Sequence, residues 1–201
     1  MRVGLVLVVN PSLPVKTIPE FIAYAKANPG KVNMASSGTG TTPHMAGELF
    51  KTMAGVNIVH IPYRGGAPAL TDLIGGQVQS YFPTTVEGIE YIKAAKVRPL
   101  AVTTAKRADI LPDIPALADF LPGYEASAWF GLGAPRNTPA EIIDKINKEI
   151  NLALAEPIMK ARLAELGGTS LAGSPADFGK LIAGETEKWG KLIRAGNIKP
   201  E

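Results

Sequence analysis

The feature that most constrains this chain is an alternation, from Val3 to Thr104, of short β-branched runs with segments of helical pattern. Strand-like runs at 3–9, 32–35, 57–61, 78–82 and 100–104 are separated by helical patterns opening near Pro19, Pro43, Ala67 and Val86. This is the rhythm of βαβ units, and it predicts an α/β fold with a mostly parallel sheet. The run 3–9 resembles a signal peptide only briefly: its apolar stretch is short, and Asn10-Pro11 stands where small cleavage-site residues belong. It reads as a strand.

Helix boundaries are explicit. Thr17-Ile18-Pro19-Glu20 and Thr138-Pro139-Ala140-Glu141 carry a capping Thr with Glu three residues later, and Ser174-Pro175-Ala176-Asp177 is a close variant. Asn28-Pro29-Gly30, Gly55, Gly75-Gly76 and Gly167-Gly168 mark helix ends. Beyond Lys106 the character changes. A proline-rich connection with Leu111-Pro112-Asp113-Ile114-Pro115 and Leu121-Pro122-Gly123-Tyr124 leads to a strand-like run at 126–132, then to helices opening at Thr138, Pro157 and Ser174. A complete α/β unit followed by a strand and helices suggests two lobes, with the chain crossing between them at 6–10 and 127–133.

One stretch is built for chemistry. Ala35-Ser36-Ser37-Gly38-Thr39-Gly40-Thr41-Thr42-Pro43-His44 leaves the strand at 32–35 and opens the next helix. Glycines 38 and 40 let successive backbone N–H groups turn toward one point, the Ser and Thr hydroxyls add donors, and the helix contributes its positive end. A carboxylate or phosphate fits such a nest without a charged side chain. No Lys follows the glycines as in a Walker loop, and Pro43 stands where a dinucleotide fingerprint needs a third Gly, so nucleotides are disfavoured. The plain alternative is a tight strand-to-helix turn with Thr42 as N-cap and Pro43 as the first helical residue.

Composition excludes several classes. A net charge of +3, with basic and acidic residues interspersed, makes no nucleic-acid footprint. There is no Cys, so neither disulfides nor thiolate-bound metals contribute, and His44 and His60 alone do not suggest a metal site. No segment approaches the roughly 18 apolar residues of a membrane span.

A series of motifs resembles one family across the whole chain. Asn10-Pro11-Ser12-Leu13-Pro14-Val15-Lys16-Thr17, Ala35-Ser36-Ser37-Gly38-Thr39-Gly40, His44-Met45-Ala46-Gly47-Glu48-Leu49-Phe50 and Ile61-Pro62-Tyr63-Arg64-Gly65-Gly66-Ala67-Pro68 occur in the order expected there. So do Leu73-Ile74-Gly75-Gly76-Gln77-Val78, Ala128-Trp129-Phe130-Gly131 and Lys188-Trp189-Gly190. The chain is identified on these as similar to the Bug, or TctC-like, substrate-binding proteins of tripartite tricarboxylate transporters. The resemblance implies a type II periplasmic-binding-protein fold, a periplasmic location, and binding of small carboxylates between two lobes for delivery to membrane transporter subunits. It implies no catalytic residue, cofactor or metal.

The resemblance also implies a division. Residues 11–125 correspond to a complete second α/β ligand-binding lobe, whereas 1–10 and 126–201 correspond to part of a mainly helical first lobe. Typical members carry, ahead of the strand at 4–9, an export signal and on the order of a hundred further residues, about a domain's worth. The expectation is therefore of an incomplete first lobe, from a shortened gene product or a natural short variant.

Carried over by position, the family's carboxylate clamp falls on Ser36, Ser37, Gly38, Thr39, Gly40 and Thr41. His44, in the first helical turn, either reaches the ligand or packs against the strand. Arg64 is a candidate for a second carboxylate, against the alternative of a solvated surface side chain. Thr84 can offer a hydroxyl; many relatives have Asp or Asn where Pro83 stands, which disfavours an amino-acid ligand. Trp129 either lines the cleft or belongs to the core. Two other readings are weighed. An enzyme would need a nucleophile with an adjacent, oriented base, and no Gly-x-Ser-x-Gly elbow is present. A half-receptor without ligand would act as an interaction or homodimerisation module through open strand edges and apolar surface.

Overall fold

The computed structural model describes residues 1–199. The apolar run at 3–9 divides at Leu5 between two sheets. β1 (Arg2–Gly4) enters one sheet and β2 (Val6–Val9) the other. β3 (Asn33–Ser36), β4 (Val59–Pro62), β5 (Ser80–Tyr81) and β6 (Arg98–Val102) join β2 in a five-stranded sheet of order β4-β3-β5-β2-β6. β3 is parallel to β4 and β5, while β2 is antiparallel to β5 and β6, so four strands point one way and β2 alone opposes them.

Helices α1 (Ile18–Ala27), α2 (Thr42–Ala54), α3 (Gly66–Ile74) and α4 (Thr85–Lys93) cover both faces of this sheet. Alternation along β2 shows why. Leu7 and Val9 pack with Ile18 and Phe21 of α1 and Ala46 and Phe50 of α2, while Val6 and Val8 pack with Leu70 and Leu73 of α3 and Ile89 of α4. A strand buried on both sides must be apolar at every position, as β2 is. Phe50 ties one layer together, its ring 5.7 Å from Phe21 and 6.1 Å from Phe82. Burying each such side chain is worth about 1.5–3 kcal/mol.

The second sheet is small. β7 (Ser127–Trp129), β1 and β8 (Gly168–Thr169) form an antiparallel sheet with β1 in the middle. Around it lie α5 (Ala140–Ala155), α6 (Pro157–Glu165) and α7 (Pro175–Ala195), so the latter part is mainly helical. α5 has no fully buried residue, and Leu163 and Leu192 are the buried positions of α6 and α7.

Both passages between the sheets meet at Thr103, which is fully buried. Its hydroxyl accepts from the Leu5 N–H at 2.8 Å and lies 2.7 Å from the Ala126 carbonyl, to which it donates. Its N–H donates to the Leu5 carbonyl at 2.9 Å, and the Ala126 N–H donates to the Thr103 carbonyl at 3.0 Å. The passages thus run through Leu5 and through 103–126, earlier than the crossings expected at 6–10 and 127–133. The whole of 6–9 is consumed by the core of the larger sheet.

Thr17 and Ser174 cap α1 and α7 as expected, Ser174 in a full capping box with Asp177. Thr138 does not cap α5. Its hydroxyl donates to the Pro135 carbonyl at 2.8 Å after a turn through Asn137 at φ 69°, which leaves Pro139 in the cap position. Among the described residues no helix is long and apolar enough to cross a membrane, and no group of three or more His, Cys, Asp or Glu could hold a metal ion.

Candidate anion-binding site

Parallel β3, β4 and β5 deliver three loops to one edge of the sheet, at 37–41, 63–65 and 82–84, each leading into a helix. This edge, outside the carboxyl ends of the strands, is where open α/β sheets bind ligands. Two backbone bonds tie the first loop to the second: Tyr63 N–H to Ser36 O at 3.0 Å and Gly65 N–H to Ser37 O at 3.3 Å. Gly38 (φ 130°) and Gly40 (φ 79°) occupy conformations open mainly to glycine, which fixes the reversal of the 37–41 loop.

Hydrogen-bond accounting refines the expected nest. Gly38 N–H donates to Ser36 Oγ at 3.1 Å, and Gly40 N–H donates to His44 Nδ1 at 3.0 Å. Thr41 Oγ1 donates to the Gly38 carbonyl at 2.6 Å. The N–H groups of both glycines are therefore engaged within the loop in this structure. The head of α2 is different. Thr41, not Thr42, occupies the cap position, and its side chain makes no capping bond, so the helix presents its positive end without a side-chain cap. Ser37, Thr39 and Thr41 are half-buried and Gly40 is exposed, whereas Ser36 is fully buried.

His44 is 4% exposed, with its ring stacked on His60 at 3.7 Å and 8°. His60 reaches Ser36 Oγ through Nε2 at 2.6 Å. In the sequence His60 is weighed only as a metal ligand; its one signal for the loop is a polar ring inside the apolar run Val59-His60-Ile61. His44 Nε2 faces Glu48 at 3.5 Å, and Lys51 Nζ lies 2.7 Å from the same carboxylate. Burial alone would raise the Glu48 pKa, but hydrogen bonds from His44 and Lys51, with their charge, hold it below its ordinary value.

Arg64 is exposed on the second loop, with no ion-pair partner among the described residues. Beside it, Tyr63 donates to Asp72 Oδ2 at 2.7 Å, and burial, with the hydrogen bond and charge of Asp72, pushes the phenol up to about 12. Thr84 is committed to α4: its hydroxyl accepts from Glu87 N–H at 3.3 Å, and the Glu87 carboxylate returns to Thr84 N–H at 3.1 Å.

A cleft of about 480 Å³ opens at the head of α2. Gly40, Thr42 and Met45 form one wall; Ser127 and Trp129 of β7 and Glu185 and Trp189 of α7 form the other. Trp129 thus lines the cleft, its ring set edge-on to Phe178 at 5.7 Å. Trp189 Nε1 donates to Glu185 Oε2 at 2.7 Å, which occupies one oxygen of the acid in the cleft wall. An uncapped helix head beside aromatic walls suits a small organic anion.

Known proteins match this chain along its length. The model of the tripartite tricarboxylate transporter family receptors matches residues 1–198. A UPF0065 protein from the tcbD-tcbE intergenic region of Pseudomonas sp. is 38% identical over 190 residues, covering 94% of this chain and 56% of its own length. Protein BugT of Bordetella pertussis is 34% identical over 198 residues, covering 98% of this chain and 61% of its own length. The chain therefore spans little more than half the length of these relatives. Among solved structures, an R. palustris protein with adipate superposes with a TM-score of 0.93 at 38% identity, over 100% of this chain and 67% of that one. The periplasmic binding protein BugD gives 0.88 at 30% identity, over 100% and 68%, and MatC of Rhodopseudomonas palustris with bound malate gives 0.82 at 27%, over 96% and 67%.

Proposed function

The chain belongs to the tripartite tricarboxylate transporter family of receptors, and from that premise we propose that it is a periplasmic solute-binding receptor for a small organic mono- or dicarboxylate, passed on to a membrane transporter of that type. The observation that carries the proposal is the uncapped head of α2 behind a glycine and hydroxyl loop, opening on the cleft between the two sheets. Ser37, Thr39 and the N–H groups at the head of α2 then hold one carboxylate, while Gly38, Gly40 and Thr41, engaged within the loop, fix its shape around the anion and Ser36 supports it from below. Each hydrogen bond to a charged carboxylate contributes about 1.5–3 kcal/mol when sheltered, so three or four account for micromolar affinity without a salt bridge. Arg64, exposed and without an ion-pair partner among the described residues, stands ready for a second carboxylate, whereas the Thr84 hydroxyl accepts from Glu87 N–H and donates to Glu87 Oε2 and so keeps no hydrogen for an anion. The adipate and malate of two solved relatives support a dicarboxylate.

In this reading the five-stranded unit is the ligand-gripping lobe, and β1, β7, β8 and α5–α7 belong to the other. Turnover is not expected. Ser36 and His60 lie 2.6 Å apart as a nucleophile and base would, but Ser36 is fully buried and out of reach of a substrate carbonyl. The test is a thermal-shift titration with aliphatic mono-, di- and tricarboxylates beside their neutral amides. The receptor reading requires a saturable rise in Tm with a carboxylate and none with its amide; equal shifts, or chemical conversion of the ligand, would count against it.

One observation favours a second reading, a half-receptor that pairs with another polypeptide or with its own copy. Leu132 and Ile158 are 71% and 81% exposed beside an α5 with no fully buried residue. Light scattering at rising concentration separates the readings, since a self-pairing module gains mass and a receptor does not.

A further inference from the structure

We propose that His60 is a positioning residue of the anion loop, holding its Ser36 end by a hydrogen bond and its Gly40 end through the stacked ring of His44. The proposal rests on the reading of that loop as the carboxylate clamp. Its geometry is independent of any ligand. Ser36 Oγ accepts Gly38 N–H at 3.1 Å and meets His60 Nε2 at 2.6 Å; the Gly38 carbonyl lies 3.1 Å from the same hydroxyl. With a proton on His60 Nε2, every partner is satisfied: Ser36 Oγ accepts from Gly38 and from His60, and its own hydrogen goes to the Gly38 carbonyl. The 36–38 turn is then fixed from beneath.

The other end follows from the stack. His44 Nδ1 accepts the Gly40 N–H at 3.0 Å, so the proton of a neutral His44 is on Nε2, toward Glu48 at 3.5 Å. An imidazole accepts well only in its ring plane, so the direction of the Gly40 N–H depends on how that plane is held. The His60 ring holds it, parallel within 8° and 3.7 Å away, with Glu48 steadying the far nitrogen. One side chain on β4, which makes no use of the loop's own sequence, therefore braces the two internal bonds, at Gly38 and at Gly40, that hold the loop in the shape of an anion nest. A ring placed only to fill space would need neither the bond to Ser36 nor the parallel stack.

The test separates the two ends. His60→Phe keeps a ring but loses the bond to Ser36; His60→Gln keeps an N–H for Ser36 but loses the ring; His60→Ala loses both. Amide spectra of the free protein should show Gly38 displaced in His60→Phe and restored in His60→Gln, with Gly40 following the opposite pattern. Malate affinity should fall about tenfold in His60→Ala and two- to threefold in each partial variant, as expected when one charge-assisted contact is misaligned. If His60→Ala does not fold, the two partial variants carry the test alone, since each keeps half of the brace. Gly38 and Gly40 amides unchanged in His60→Phe and His60→Gln alike would overturn the proposal. Variants that follow the amide pattern, beside a wild-type protein that responds to neither malate nor adipate, would leave the brace standing and defeat the receptor reading instead.

Discussion

The five-stranded unit and the three-stranded unit with its helices differ in where their apolar residues end up. In the first, β2 is buried on both faces and α1 to α4 supply Phe21, Phe50, Leu70 and Leu73 to closed layers. In the second, α5 presents Ile142, Ile146 and Leu152 outward, and Phe130, Leu132 and Ile158 are exposed as well. Helical spacing of apolar residues is thus satisfied in one unit and left open in the other among the described residues. The larger unit contains its own cover. The cover of the smaller one is not found within 1–199.

Mutations break this comparison most sharply. Phe50→Ala removes a fully buried ring between Phe21 and Phe82 and should cost about 3–5 kcal/mol in urea unfolding, whereas Ile158→Ala should change stability by less than about 0.5 kcal/mol. Comparable losses at the two sites would mean that the smaller unit has a cohesive core after all. Next in size is Thr103→Val, which strips the junction of its hydroxyl and leaves Leu5 N–H and the Ala126 carbonyl short of a partner. A loss of about 1–3 kcal/mol is expected; a smaller one would show that the two units are not coupled through this residue.

Hydrogen exchange gives a graded version. Amides of β2 should be protected to the level of global unfolding, and those of α5 should exchange through local opening, since no fully buried side chain holds that helix down. Equal protection would contradict the contrast. The smallest effect is at Glu48, whose folded pKa lies below the ordinary 4.5. A depressed carboxyl contributes stability that is present above its unfolded value and is lost as pH falls through the folded one. Glu48→Gln should therefore unfold with a shallower acid dependence below about pH 4.5 while losing stability at pH 7, and an unchanged acid limb would show that the His44 and Lys51 contacts carry no weight.

How much of this was legible in the sequence depended on how local the cause was. The β3, 37–41 and α2 succession is local, since a strand, two glycines and a helix-opening proline sit within eleven residues, and it lies where the pattern placed it. The division of 3–9 between two sheets was not legible, because an unbroken apolar run is the same whether one sheet or two receive it. Thr138 carries the capping signature, yet the turn through Asn137 turned its hydroxyl to Pro135. The strand expected at 78–82 pairs as β5 only at Ser80–Tyr81. In the site, residue types announced an anion nest, and the bonds from Gly38 N–H to Ser36 and from Gly40 N–H to His44 are local, but the brace beneath them needed His60 brought against Ser36 and His44 from a separate element. No spacing in the sequence encodes that meeting.

The most direct test of the central claim is isothermal titration of the best carboxylate from the thermal-shift panel into wild-type protein and into Gly38→Val/Gly40→Val. Both glycines sit at positive φ, so valine there deforms the loop backbone while the core of β2 stays intact. The account predicts micromolar binding by the wild type and loss of at least about a hundredfold in a double variant that still melts cooperatively. Equal affinity in the two proteins would contradict it and place the carboxylate site elsewhere in the molecule.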